Sequence, residues 1–267
     1  MLRVLRVLIL GGTAEARALA SSLSGRATVL TSLAGAADTP LLPPGEVRVG
    51  GFGGPAGLAA FLSSWRPDVV VDATHPFAAQ ITAHAASVAT AVPLLVLRRP
   101  AWFAEPGDRW TSFGSIADCA AAVRDLPAGV VFLTTGRRDV ALFAADDGHD
   151  YLVRSVSAPP DPLPPRTTLL LDRGPYTLAG EVALMTSHGV EVLVTKNSGG
   201  GMTTAKLAAA RQLGLPVLMV ERPPLPAGVD PLPDVDAVLA ALSAEGFAHT
   251  DVGSCRGPAR QTTSCPE

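Results

Sequence analysis

Short runs rich in Val, Leu and Ile alternate along most of the 267-residue chain with alanine-rich stretches of helical length. Strands apolar on both faces need cover on both, and strands joined through helices run parallel, so the pattern predicts an α/β fold with mostly parallel sheets. The first series has strands near Val4–Leu10, Ala27–Thr31, Val47–Gly50, Asp68–Asp72 and Pro93–Leu97, with helices at Ala14–Leu23, Pro55–Trp65 and Phe77–Ala89. The second has strands near Val130–Thr134, Tyr151–Val156, Thr168–Asp172, Glu191–Thr195 and Pro216–Glu221. Its helices are expected at Ile116–Asp125, Asp139–Ala145, Tyr176–His188, Thr203–Leu213 and Val235–Glu245. Between the series, Arg98–Trp110 lacks periodicity and holds Pro100 and Pro106, so one domain is expected over residues 1–98 and another over 99–248. The proline-rich pieces APPDPLPPR and ERPPLPAGVDPLP read as surface connections, and residues 249–267 as a mobile tail.

The composition narrows the function classes. Hydrophobic residues make up 48% and charged residues 17%, with mean hydropathy +0.31, enough apolar surface to offset the chain entropy of folding. A formal net charge of −3 gives no field favouring nucleic acid or an anionic membrane, so neither is expected as a partner. No apolar run is long enough to span a bilayer, and MLRVLRVLILGG reads as a buried strand rather than a signal peptide. Cys119, Cys255 and Cys265 form no CxxC pair, which argues against a structural metal and for a reducing compartment, the cytoplasm.

Directly after the first strand comes GGTAEAR, Gly11–Arg17. Gly11, Thr13 and Ala16 occupy the spacing of G-x-G-x-x-G/A, with Thr in place of the middle glycine. Such a turn brings pyrophosphate oxygens to the amides of a helix N-terminus, where the macrodipole favours anions. A tight turn with Glu15 satisfying the helix dipole would use the same residues; placement after the first strand favours the dinucleotide. About twenty residues on, where NAD sites carry an acid for the ribose, stands Thr31 of TSLAG. Hydroxyls and amides there tolerate a 2′-phosphate, with Arg17 as a counter-charge, so NADP is favoured over NAD. GGFGGPAG matches the same spacing at Gly51, Gly53 and Ala56 but follows the third strand; it reads either as a close-approach turn beside the cofactor or as a structural turn into a helix that Pro55 starts without any ligand. DATHPF ends the fourth strand at the edge where such sheets bind ligands, where His75 either donates to substrate or cofactor or is only a histidine at a helix start before Pro76.

Cations cluster at strand ends in the second half. Arg98 and Arg99 follow one predicted strand, Arg137 and Arg138 another, and Arg173, Lys196 and Arg222 close three more. Parallel strands present their carboxyl ends along one edge, so these charges should converge and take a ligand with several carboxylates or phosphates; pairing of some of them with the adjacent Asp139, Asp172 or Glu221 is the other reading. Lys196 and Lys206 are the only lysines among the 21 basic residues. TKNSGGG lacks the P-loop pattern, which excludes a P-loop NTPase; no Tyr-x-x-x-Lys pair supports the usual short-chain dehydrogenase chemistry, and no GxSxG elbow is present.

ILGGTAEAR, DATHPFA, LTTGRRD, RGPYTLAGE and LVTKNSGGGMTTAKLAAARQLGLPVLMVERP together resemble the precorrin-6A reductase family of cobalamin biosynthesis, over roughly Val7–Pro224. The resemblance implies two Rossmann-like domains with the active site in the cleft between them, NADPH as reductant, and reduction of one double bond of precorrin-6A, a metal-free tetrapyrrole bearing acetates and propionates, to precorrin-6B; whether the domains exchange a strand is left open by sequence order. Carried over by motif, Gly11, Gly12, Thr13, Ala14, Glu15 and Arg17, with Thr31, Ser32, Leu33 and Gly35, would hold NADPH. Gly51 would lie beside it, and Ala73, Thr74 and His75 near the nicotinamide. Gly136, Arg137 and Arg138, Arg173 and Tyr176, and Lys196, Asn197, Ser198 and Gly199 would meet the macrocycle together with Arg98 and Arg99. Candidate proton donors are His75, Tyr176 and Lys196, with solvent as a fourth source. Hand-over to neighbouring pathway enzymes fits the same reading. Two other readings remain open: a different NADP-dependent reductase of a polyanion, and a non-catalytic NADP sensor.

Overall fold

The computed structural model describes residues 4–35, 41–88 and 92–244. The tail expected over 249–267, with Cys255 and Cys265, lies outside the described residues. Two six-stranded sheets, all parallel, carry the chain.

The first sheet contains β1 (Arg6–Leu10), β2 (Thr28–Leu33), β3 (Glu46–Val49), β4 (Val69–Asp72) and β5 (Leu94–Leu97). Along β1, Val7 and Ile9 face α1 (Ala14–Leu23), while Leu8 and Leu10 face α2 (Gly54–Trp65) and α3 (Ala79–Val88), and all four are buried. This period-two division between two covered faces is why the strand reads as a continuous apolar run. The second sheet contains β6 (Arg109–Phe113), β7 (Val130–Leu133), β8 (Asp150–Ser155), β9 (Thr167–Leu171), β10 (Val190–Lys196) and β11 (Pro216–Val220). Val131 and Leu133 pack with α4 (Ile116–Arg124), and Phe132 on the opposite face packs with α5 (Leu178–Ser187) and α6 (Ala205–Leu213). The stretch expected as a helix over Asp139–Ala145 forms a short 3-10 turn, Val140–Phe143.

Chain order and sheet membership part company at the sixth strand. The orders are β12-β5-β4-β1-β2-β3 and β6-β11-β10-β7-β8-β9, where β12 is Pro231–Leu232. Each sheet has the same plan, but β6, which follows β5 in sequence, pairs with β11, and β12, which follows β11, pairs with β5. The sheets have exchanged edge strands. α7 (Val235–Ala244) follows β12 onto the first sheet, where Val238 and Leu242 are buried against the α1 face. Residues 231–244, placed with the second half by chain order, therefore join the first sheet, because only there do Val238 and Leu242 find a face to bury against. β6 lies in the stretch from which no strand was expected.

Leu242→Ala should therefore destabilise the first sheet by about 2–5 kcal/mol, the usual cost of such a cavity. Denaturant unfolding measures it, and an unchanged midpoint would mean that α7 does not hold that sheet.

Candidate active site

The carboxyl edges of the two sheets meet, and Arg99 joins them. Its Nη1 donates to Glu15 Oε2 in the first turn of α1 at 2.9 Å. Its Nε reaches the carbonyls of Ser198 and Gly199 after β10, at 2.7 and 3.0 Å. Arg222 fastens the same junction, donating to the carbonyls of Asn197, Arg99 and Pro100 at 2.7, 2.7 and 2.9 Å. Arg98 donates to Pro223 O at 2.7 Å. The backbone here leaves no room for side chains: a Cβ on Gly199 would lie 2.0 Å from Pro100 O, at φ +65°. Arg98 and Arg99, expected to hold substrate, are thus engaged in the junction because backbone carbonyls and Glu15 lie within their reach. Burial, with Arg98 and Arg99 beside it and Glu221 opposing, pushes the Arg222 guanidinium down to about 10.

On the first-sheet side, Gly11 N–H donates to Ser32 O at 2.9 Å, and Gly12 turns at φ +117° with nothing above it. Thr13 caps α1, accepting from Ala16 N–H at 3.0 Å and donating to Ala73 O after β4 at 2.7 Å. Among the described residues, the Ala14 and Glu15 amides carry no protein acceptor. An open turn, free first-turn amides and a Glu15 carboxylate neutralised by Arg99 suit the pyrophosphate of a dinucleotide. Thr31 lies elsewhere than expected. It is 1% exposed beneath the turn, its Cγ2 2.7 Å from where a Gly11 Cβ would stand, so it is the floor of the loop and not a ribose ligand. The polar group at the end of β2 is Ser32, whose Oγ accepts from Arg48. The second glycine cluster turns the chain after β3: Gly51 O accepts from Arg48, and a Cβ on Gly57 would collide with Phe52 O.

The DATHPF loop stands at the meeting point. Asp72 accepts from Thr74 N–H, the Thr74 hydroxyl and the Thr82 hydroxyl, which fixes the turn. Phe77 lies against the core of the second sheet, with Lys196 Nζ 5.1 Å from its ring. His75 lies at the exposed surface of this loop. Desolvation by the atoms packed around it, with Arg99, Lys196, Arg222 and Lys206 nearby, pushes the imidazole down to about 3. It is therefore neutral at physiological pH. Phe77 N–H donates to His75 Nδ1 at 3.3 Å, which leaves the remaining proton on Nε2.

On the second-sheet side, Gly136, Arg137 and Arg138 follow β7 and Arg173 follows β9, while Lys196 at the end of β10 pairs with Asp139. Arg138 and Arg173 are solvent-exposed. Asn197 grips Trp102 through a reciprocal pair of bonds, accepting from its N–H and donating to its carbonyl. Tyr176 stacks on Arg154 at 3.8 Å. A small cleft lies among Thr13, Glu15, Thr74, Pro76, Leu97 and Arg99, and a second, open concavity lies apart from these residues, on the solvent side of α5 beside Gln212.

The family model for precorrin-6x reductase CbiJ/CobK matches residues 6–243. The chain belongs to this family. The precorrin-6A reductase of Rhodococcus erythropolis is 51% identical over 239 residues, covering 88% of this chain and 96% of that protein. That of Mycobacterium tuberculosis strain H37Rv is 52% identical over 229 residues, covering 84% and 91%. A solved structure, CobK precorrin-6A reductase, matches at TM-score 0.86 and 40% identity over 93% of this chain and 100% of that one. Among the described residues of this family member no helix is long and apolar enough to cross a membrane, and no cluster suits a metal ion.

Three buried residues behind the second-sheet edge carried no signal in the sequence. Arg154 and Glu181 form a two-pronged ion pair, Nη1 to Oε1 and Nη2 to Oε2 at 3.1 Å, with both side chains buried. Lys206 is 4% exposed beside them, 5.5 Å from the Trp102 ring. Burial and Arg154 push its amine down to about 7, with Glu181 opposing. The sign follows from linkage. Between pH 7 and the unfolded lysine's value of about 10.5 the unfolded chain binds the proton more strongly, so native stability rises with pH across that window. Lys206→Met should be more stable than the wild type at neutral pH, and the difference should shrink as pH rises to 10. Thermal unfolding of both proteins across this range tests it, and a constant difference would mean that Lys206 stays charged in the fold.

Proposed function

We propose that the chain reduces one double bond of precorrin-6A with NADPH, giving precorrin-6B. The observation that carries the reading is the meeting of an anion-ready helix end, the Gly12–Glu15 turn, with a cation-rich strand edge across one junction, with His75 between them. A dinucleotide laid on the first sheet and a polycarboxylate on the second would bring their reacting ends together there.

The cofactor supplies hydride when bound; the chain supplies position and field. The turn at Gly11–Thr13 and the amides of Ala14 and Glu15 would hold the pyrophosphate. The cations after β7, β9 and β10 would draw in the carboxylates and fix the ring against the other sheet. Desolvation, with Arg99, Lys196, Arg222 and Lys206 adding to it, keeps His75 neutral, which supports a positioning role through its Nε2–H instead of proton donation. Burial raises the Tyr176 phenol above its ordinary value, so it too holds its proton. The proton added to the substrate then comes from water or from a nearby ammonium such as Lys196.

Mixing the protein anaerobically with precorrin-6A and NADPH should oxidise one cofactor per substrate and add two mass units to the tetrapyrrole. Cofactor binding without oxidation would favour another polyanion as substrate or a sensor. His75→Asn should lower turnover modestly and leave its pH profile unchanged. A collapse of about 10²- to 10⁴-fold, with loss of a titration near pH 6 to 7, would make His75 the acid after all.

A further inference from the structure

Behind the Tyr176 loop lies an ion pair that no step of the proposed reaction uses. Arg154, the penultimate residue of β8, and Glu181, in the first turn of α5, join through both terminal guanidinium nitrogens and both carboxylate oxygens, with side chains 5% and 2% exposed. Stripping two such groups of water costs more than their mutual attraction commonly restores, and an apolar pair of similar volume often holds a fold as well or better. Stability alone therefore does not account for the pair. Its two-pronged geometry does fix one thing, the plane of the guanidinium.

That plane carries aromatic rings. Its central carbon lies 4.9 Å from the centre of the Phe132 ring and 3.8 Å from that of Tyr176, in the loop after β9. Phe132 is fully buried, whereas Tyr176 keeps part of its surface open. Tyr176 is held from two further directions. Its N–H donates to Met202 O at 3.2 Å, in the loop that leads into α6. Gly174 closes on the ring itself: a Cβ there would stand 3.2 Å from Tyr176 Cδ2 and Cε2, and 3.0 Å from Met202 O. A tyrosine in an open loop ordinarily turns in solvent. This one is fixed at the strand edge where the cations of the second sheet gather, three residues beyond Arg173. A partly open ring held in one orientation is a platform for a ligand with conjugated pyrrole rings, because stacking on it costs little side-chain entropy.

We propose that Arg154 and Glu181 are positioning residues of the reduction, holding Tyr176 as a fixed platform for one ring of the tetrapyrrole. This rests on the substrate reading above. The test is steady-state kinetics with precorrin-6A and NADPH, together with thermal unfolding. It compares the wild type with Arg154→Met plus Glu181→Leu, with Arg154→Lys, with Tyr176→Ala, and with all of Arg154→Met, Glu181→Leu and Tyr176→Ala together. The double variant leaves neither charge buried alone, and Lys206 loses one repelling and one attracting neighbour in it. KM for precorrin-6A should rise about threefold to tenfold, the worth of one well-placed aromatic contact, with kcat and KM for NADPH within about twofold and no fall in the unfolding midpoint. Arg154→Lys, which keeps a charge opposite Glu181 but not the plane, should show a smaller rise, and it decides the matter if the double variant fails to fold. Tyr176→Ala should itself raise that KM, and adding the double change to it should make less than about a twofold further difference, because the pair acts through the ring. An unchanged KM with a lower unfolding midpoint would make the pair a fastening of α5 to β8, and an undiminished effect without the Tyr176 ring would mean that it acts by another route; either overturns the proposal. If Tyr176→Ala leaves KM unchanged, the placing of the macrocycle at Tyr176 fails and the proposal with it. Wild-type protein that does not turn over precorrin-6A would overturn the substrate reading itself.

Discussion

The bonds of Arg99 to Glu15 on one side and to the Ser198 and Gly199 carbonyls on the other set the relation between the two sheets. One side chain neutralises the carboxylate at the helix end and terminates carbonyls of the loop after β10. Charge-assisted bonds of this kind are stronger than neutral ones, and their direction fixes geometry as well as energy. Arg222, lying across the carbonyls of Arg99 and Pro100, holds the backbone from which Arg99 projects. The glycines at 199 and 200 are the steric counterpart, since a Cβ on Gly200 would come within 2.8 Å of Arg99 Cδ. This junction holds the helix end, His75 and the strand-end cations beside one another.

The exchanged edge strands reinforce the same arrangement covalently. Chain crosses between the sheets after β5 and again after β11, and both crossings pass through the arginine cluster at 98, 99 and 222. Electrostatics and connectivity therefore act at one place. Burial first, and neighbouring positive charge second, lower the basicity of Arg222 and keep the imidazole of His75 neutral. A polycarboxylate entering the cleft would offset that positive charge, which couples binding of an anion to the order of the junction.

Much of this was legible from apolar runs, because a strand covered on both faces announces itself. β1, β4, β7 and β10 fall where the Val, Leu and Ile runs place them. β6 was not legible: RWTSF is a polar edge strand beside a proline-rich loop, and its partner lies far along the chain. β12 has two residues and no period to read. At the site, the glycine turn and DATHPF followed from position after a strand. Thr31 was misplaced because spacing gives a residue's height along a strand, not which way its side chain points, and Ser32 is the neighbour that meets a cation. Arg48, Arg154 and Lys206 had no motif at all; only the fold brings a lone arginine onto two phenylalanine rings or a lysine beside an ion pair.

The claim that two separate binding edges face one another across the Arg99 junction is tested most directly by amide hydrogen exchange with each ligand alone. NADP⁺ should slow exchange in residues 11–17 and 50–52 and leave 134–138 unchanged, whereas the tetrapyrrole should protect 134–138 and 196–200 and leave 50–52 unchanged. Protection of 134–138 by NADP⁺ alone, or of 11–17 and 50–52 by the tetrapyrrole alone, would contradict the division of labour between the sheets.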